Sequence, residues 1–239
     1  MTLAVLVLLL PLAALAQTQT RELVGQIGSR SALLVLNASR KPDGAWQLSG
    51  EYLVLPTLQR RFLDGEASPE IGVTTLREGA SAILFGHEPT GELRGTWRGG
   101  VFKGARYAPG GQERERFEFS EEFPSMDAYS ANVRCEMTEG GYKSTLAYAV
   151  ERGKLQMFDW RSRAEPGGEV CTVTNLQQQA RTGGLRFSGG GCNVTLREVG
   201  DYVWVAADNC SEQCGSKGYL EPLLVDRRGR CRLLRGEGR

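Results

Sequence analysis

The chain has 239 residues, of which 41% are apolar and 24% charged, and its formal net charge is +1. That balance excludes an intrinsically disordered chain, which carries fewer apolar residues and more net charge. It also excludes a strongly basic nucleic-acid binder and a protein with a long acidic tail.

The chain opens with an uninterrupted apolar run from Leu3 to Leu10, then Pro11 and Leu12-Ala13-Ala14-Leu15-Ala16. Ala14-Leu15-Ala16 is a small-x-small site of the kind a signal peptidase accepts, so residues 1–16 read as a signal peptide cleaved after Ala16. No Lys or Arg precedes the run. The run ends short of the ~20 apolar residues that a bilayer span needs, and no later stretch is long or apolar enough, so no membrane span is expected. No Cys stands at the cleavage site to carry a lipid anchor.

Beyond this segment the pattern is β almost throughout. Glycine accounts for 31 residues, about twice its usual ~7% share, and the segments between glycines alternate. In chain order the alternation predicts strands at Ala32–Leu36, Trp46–Leu55, Ile83–Phe85, Leu93–Trp97 and Arg116–Phe119. In the second half it predicts Leu146–Val150, Leu155–Trp160, Val170–Thr174, Leu185–Phe187, Cys192–Leu196, Tyr202–Ala206, Tyr219–Val225 and Cys231–Leu234. Arg152-Gly153, Gly183-Gly184, Gly200-Asp201 and Arg228-Gly229 are turn signals. A short helical turn is expected from Ser125 to Tyr129. Leu48-Ser49-Gly50, Leu63-Asp64-Gly65 and Leu93-Arg94-Gly95 share an L-x-G pattern, as in a meander with Leu inward and Gly beside a cross-strand aromatic.

All six cysteines, Cys135, Cys171, Cys192, Cys210, Cys214 and Cys231, lie in the second half. The expected fold is therefore all-β, with two antiparallel modules, sandwich or barrel-like, the C-terminal one stapled by disulfides. Residues 17–124 form the Cys-free module and 125–239 the six-Cys module, joined near Glu121-Glu122-Phe123-Pro124-Ser125. An even cysteine count in an exported chain reads as disulfides. The simplest arrangement is sequential: Cys135–Cys171, Cys192–Cys210 and Cys214–Cys231. Cys210 and Cys214 stand in a C-x₃-C spacing, but no second pair and no nearby His completes a zinc site, so no metal is expected.

The chemistry-bearing residues are sparse. His87 is the only histidine, in the loop Phe85–Gly91, and no G-x-S-x-G elbow accompanies it. Glu51, Glu70, Glu78, Glu118 and Glu136 are candidates for the carboxylate pair of a glycosidase, but no local context marks any of them. Trp46, Trp97, Trp160 and Trp204 could stack on sugars, yet each falls in a strand pattern that favours core packing. Ser188-Gly189-Gly190-Gly191 lacks the Lys of a phosphate loop and reads as a turn or bulge. Arg227, Arg228, Arg230, Arg232, Arg235 and Arg239 crowd the C-terminus as a solvated hairpin and tail. No catalytic residue and no cofactor is assigned.

The most distinctive segment is Asp208–Tyr219, polar and anchored by two cysteines. A loop pinned in this way is ordered in advance and loses little entropy on binding. Cys192-Asn193-Val194-Thr195-Leu196, followed by Asp208-Asn209-Cys210 and Cys214-Gly215, resembles the C-terminal end of small bacterial periplasmic proteins grouped with lysozyme inhibitors. Leu48–Tyr52 and Leu93–Trp97 are similar to a β-rich module of bacterial envelope proteins. The resemblance implies a periplasmic or secreted setting. The expected function is an exported module that binds a protein partner, an inhibitor or immunity-type protein against a cell-wall hydrolase. Ser211, Glu212, Gln213, Ser216, Lys217 and Tyr219 would be the contacts. The alternative is a carbohydrate-binding or carbohydrate-active envelope protein using Trp and carboxylates. Neither reading involves nucleic acid.

Overall fold

Period-two alternation builds the first half into a barrel. The computed structural model describes residues 18–67, 73–80, 88–139, 141–179, 183–215 and 220–234. Strands β1 (Thr18–Ile27), β2 (Arg30–Arg40), β3 (Trp46–Val54), β4 (Gln59–Ala67), β5 (Val73–Gly79), β6 (Gly91–Arg98), β7 (Val101–Tyr107) and β8 (Glu113–Ser120) run up and down in sequence order. β1 closes the barrel against β8, from Val24 opposite Ser120 to Ile27 opposite Phe117.

An eight-stranded barrel is just wide enough for side chains to fill it. Here Leu23, Leu34, Leu36, Leu48, Leu63, Leu76, Leu93, Phe102, Phe117 and Phe119 pack together in a buried core, with Trp46 and Trp97 half-buried against them. The L-x-G pattern places both its Leu and its Gly on this inner face. A Cβ at Gly50 or Gly65 would collide with the carbonyl oxygen of Val35 or Thr75 on the neighbouring strand. At Gly95 it would come within 2.8 Å of the Phe102 and Phe117 rings, the aromatic neighbour expected from the sequence. Glycine at these positions permits the close backbone approach that bends strands into a small barrel.

The second half is two antiparallel sheets sharing one core. β9 (Ala131–Glu139), β10 (Tyr142–Glu151), β11 (Lys154–Ala164) and β12 (Val170–Thr174) form a four-stranded sheet in the order β12-β11-β10-β9. β13 (Gln177–Gln179), β14 (Leu185–Gly189), β15 (Cys192–Val199), β16 (Tyr202–Asp208), β17 (Leu223–Asp226) and β18 (Cys231–Leu233) form the other in sequence order, with a four-residue helix, α1 (Ser211–Cys214), after β16. Leu146, Tyr148, Phe158 and Trp160 from one sheet meet Phe187, Val194, Leu196, Val205 and Leu223 from the other.

The edges of these sheets are tied to one another, which removes the exposed ladders that invite aggregation. Cys135 on β9 is bonded to Cys231 on β18, and Glu139 accepts a hydrogen bond from the Leu233 amide nearby. At β13 the Gln178 side chain stands in for a strand: its amide donates to Gly153 O (2.8 Å) and accepts from Leu155 N (3.2 Å). β12 is held to α1 by Cys171–Cys214.

The six-stranded sheet is covered on both faces, so parts of it read as continuous apolar sequence rather than as alternation. Val194, Leu196, Val203, Val205, Leu223 and Val225 face the sandwich core. Val199, Trp204 and Leu224 face the other way and meet Leu33 on β2, Leu53 on β3, Leu55 and the connecting Phe123 in a separate apolar cluster. The barrel wall is double-faced at the same place, with Ala32-Leu33-Leu34 and Tyr52-Leu53-Val54 buried throughout. Arg197 lies in this contact, its guanidinium 4.7 Å from the Phe123 ring centroid and 5.1 Å from that of Trp204, and it is ion-paired to Glu22 of β1.

Three expectations need correction. The sequential disulfide map holds only for Cys192–Cys210; the other two bonds are Cys135–Cys231 and Cys171–Cys214, so the three are nested. Cys135 and Cys171 lie on opposite edge strands of one sheet, three inter-strand spacings or about 14 Å apart, beyond the reach of a disulfide. Residues 125–129 make a turn closed by Tyr129 N to Met126 O at 3.0 Å, while the one helix among the described residues lies in the segment read as a loop. The strand expected from Tyr219 starts at Leu223, after Pro222, whose missing N–H cannot serve a ladder. The expected strand at 83–85 and the signal segment 1–16 lie outside the described residues. No helix among those residues is long and apolar enough to cross a membrane.

Candidate functional site

Two constellations stand out, one buried at an end of the barrel and one exposed on the sandwich. The first is centred on Glu78, which is fully buried. It continues the inward phase of β5 after Thr74 and Leu76. Arg106 continues the inward phase of β7 after Phe102 and Gly104, and the two side chains meet inside the barrel. Arg106 grips the carboxylate with two bonds, Nε to Oε2 at 2.7 Å and Nη2 to Oε1 at 2.8 Å. Tyr52 of β3 donates its hydroxyl to Oε2 at 2.6 Å, Thr90 donates to Oε1 at 3.1 Å, and Arg61 of β4 lies 3.4 Å from Oε1. Arg106 reaches on to Glu115 of β8 at 3.6 Å, and Glu115 is gripped in turn by Arg30 of β2 at 2.8 Å.

Burial alone would raise the carboxyl pKa of Glu78, but the hydrogen bonds from Arg106 and Tyr52 outweigh it and hold the value below the usual carboxylate range. Burial, then the adjacent carboxylate, pushes Tyr52 well above the ordinary phenol value. The hydrogen bond to Glu78 raises Arg106. A carboxylate so fully occupied has no lone pair left for substrate and no tendency to take a proton near neutrality. The network is a polar plug that joins six strands, rather than an acid–base centre.

Of the other carboxylates considered for sugar hydrolysis, Glu51, Glu118 and Glu136 are at least partly exposed. Glu51 lies 3.4 Å from Arg60, Glu118 pairs with Lys103 at 2.6 Å and Glu136 with Lys143 at 2.9 Å. Glu70 and His87 fall outside the described residues. Trp160 and Trp204 are buried. Trp97 is stacked on Phe102 at 4.9 Å with Arg21 over its ring. In the C-terminal hairpin, Arg227 pairs with Asp201 and Arg230 with Asp226, so its positive charge is partly neutralised.

The second constellation is the cysteine-anchored segment after β16. Cys210 is tied to Cys192 at the start of β15, and Cys214 to Cys171 on β12. One short segment is thus stapled to both sheets of the sandwich. Gln213 N and Cys214 N both donate to the Cys210 carbonyl, at 3.1 and 2.9 Å.

Of the residues expected to make contacts, Ser211 and Glu212 are exposed on this turn. Gln213 is half-buried, and its amide is spent on the carbonyls of Gly189 and Gly190 in the β14–β15 turn, so it positions the loop instead of presenting itself. Ser216, Lys217 and Tyr219 lie outside the described residues. Glu212 stands against Gly191, and Glu169 against Gly215. With Asp208, which accepts only from the amides of Asn193 and Asn209, they give the loop an acidic rim in which no member has a cationic partner among the described residues.

All six cysteines are consumed in disulfides, which fits an extracellular or otherwise oxidising compartment. The polar plug was not legible as a unit, because β5 and β7 carry too few apolar residues to announce themselves. The available signal was a charged residue, Glu78 or Arg106, falling in phase with inward apolar ones. The chain matches no family model, no curated protein and no solved structure.

Proposed function

We propose that the protein is an exported, non-catalytic binding module whose doubly stapled loop, Asp208–Tyr219, engages a protein partner, and that the partner is a cell-wall hydrolase held inhibited in the periplasm. The observation that carries this reading is the attachment of Cys210 and Cys214 to different sheets, which fixes Ser211 and Glu212 in an ordered, exposed turn. Such a turn docks with little loss of conformational freedom. The carboxylates of Asp208, Glu212 and Glu169, which have no cationic partner among the described residues, favour a basic surface on the enzyme, a local complementarity that the near-neutral total charge conceals. The likeness of the Cys192–Gly215 segment to periplasmic inhibitors points the same way.

The test is to titrate the oxidised chain into basic cell-wall hydrolases acting on suspended walls. Stoichiometric loss of activity that Glu212→Lys weakens supports the proposal. Undiminished hydrolysis by every enzyme, with the chain instead sedimenting on the walls, would transfer the assignment to carbohydrate binding.

A further inference from the structure

We infer that Cys192–Cys210 is a reducible clasp on the loop, while Cys171–Cys214 is its permanent anchor. As a means of regulating binding this rests on the function proposed above; as a property of the loop it can be tested without any partner. The two bonds hold the same four-residue turn but differ in access. Cys171 and Cys214 are both buried, at 1% and 3% exposure, so a thiol can reach neither sulfur without opening the sandwich. Cys192 is buried, but Cys210 lies in the connection between β16 and α1 and is only partly covered. Thiol–disulfide exchange needs access of the attacking thiolate to one sulfur, and only the clasp offers one at the loop. Cys135–Cys231 closes the other edge of the sandwich and does not restrain the turn.

The step requires a dithiol reductant. Its thiolate attacks Sγ of Cys210, a mixed disulfide forms there, and Cys192 leaves as a thiolate that takes up a proton. The second thiol of the reductant then attacks the mixed disulfide, releasing Cys210 as a thiol. The protein disulfide gains two electrons and the reductant leaves as its own disulfide.

The consequence for the loop follows from its hydrogen bonds. Gln213 N and Cys214 N both donate to the Cys210 carbonyl, so freeing Cys210 loosens the acceptor that closes the start of the turn. A single helical turn has too few bonds to persist without such an anchor. The segment would then hang from Cys214 and from the Gln213 bonds to Gly189 and Gly190, with Glu212 no longer held in place.

The experiment is a stepwise dithiol titration of the intact oxidised protein, with alkylation and peptide mass mapping at each step and far-ultraviolet circular dichroism in parallel. Cys192 and Cys210 should be alkylated while the β spectrum is intact and Cys171 and Cys214 are still bonded. At that point protease cleavage within residues 208–215 should accelerate by about tenfold or more, since cleavage tracks the open population. The Cys192→Ser/Cys210→Ser double variant, purified with its β spectrum intact, should show the same acceleration without reductant. Alkylation of Cys171 and Cys214 before or together with Cys192 and Cys210 would overturn the inference. So would reduction of the clasp only on global unfolding, or unchanged cleavage of the loop once the clasp is open. None of these outcomes depends on whether a hydrolase is the partner.

Discussion

Glu78 shows how one side chain can be expensive and indispensable at once. A carboxylate with no exposure is held by two guanidinium groups and two hydroxyls from four other chain segments. Removing its charge leaves Arg106 buried with no close counterion but the more distant Glu115. Glu78→Gln should therefore lower stability by about 3 kcal/mol in urea unfolding, in the range for breaking one side of a buried pair. The pH dependence follows from the depressed native pKa. The contribution of Glu78 is present above the ordinary value of 4.5 and is lost as pH falls through the lower native value. The stability of the parent protein should fall more steeply than that of the variant over that acidic interval, measured by unfolding midpoints at successive pH values. At Gly50 the constraint is steric: a Cβ there meets the Val35 carbonyl oxygen. Gly50→Ala should cost roughly 1–3 kcal/mol, as overpacking does, where an alanine in an open strand position would cost little. Equal stability of the alanine variant in the same unfolding assay would contradict the close approach.

At the scale of elements, legibility in the sequence depended on what each strand buries. β2, β3 and β10 each carry two or more large apolar residues in their inward positions and so announce their alternation. β4 points Arg61, Leu63, Gly65 and Ala67 inward, and β7 points Phe102, Gly104 and Arg106, so each offers only one large apolar side chain. Glycine for barrel closure and charge for the plug thus erased the pattern that would have revealed these strands. The cysteine pairing was unreadable for another reason, since it depends on which sheet edges face each other across the sandwich. β15 and β16 carry the contact between the two halves, and their residues there do so mainly by packing. Trp204→Ala should cost about 3–5 kcal/mol, the range for deleting a buried aromatic. Arg197 lies over the Phe123 and Trp204 rings, its Nε without a hydrogen-bond partner among the described residues and its Glu22 partner partly exposed. Arg197→Met, which keeps the volume, should therefore be tolerated within about 1 kcal/mol, while Arg197→Ala costs more. Equally large losses for Met and Ala would make charge, and not packing, the dominant role of the residue.

For the whole molecule, the apolar cluster of Leu33, Leu53, Leu55, Phe123, Val199, Trp204 and Leu224 packs the barrel against the sandwich. Urea unfolding of the oxidised chain should give coincident transitions by tryptophan fluorescence and far-ultraviolet circular dichroism. Separate transitions would mean that the contact is too weak to couple the halves. A body packed in this way holds Ser211 and Glu212 exposed from a fixed base, which is what the proposed function needs. The overall β class could be read from the chain. The acidic rim could not, because Glu169 joins Asp208 and Glu212 only through the Cys171–Cys214 bond. The most direct test of the account is a paired capture. The oxidised protein and its Ser211→Arg/Glu212→Lys variant serve as baits in one envelope extract, and bound proteins are identified by mass. The account predicts a hydrolase retained in stoichiometric amount by the parent chain and lost from the variant; equal retention by both baits, or no protein retained by either, would contradict it.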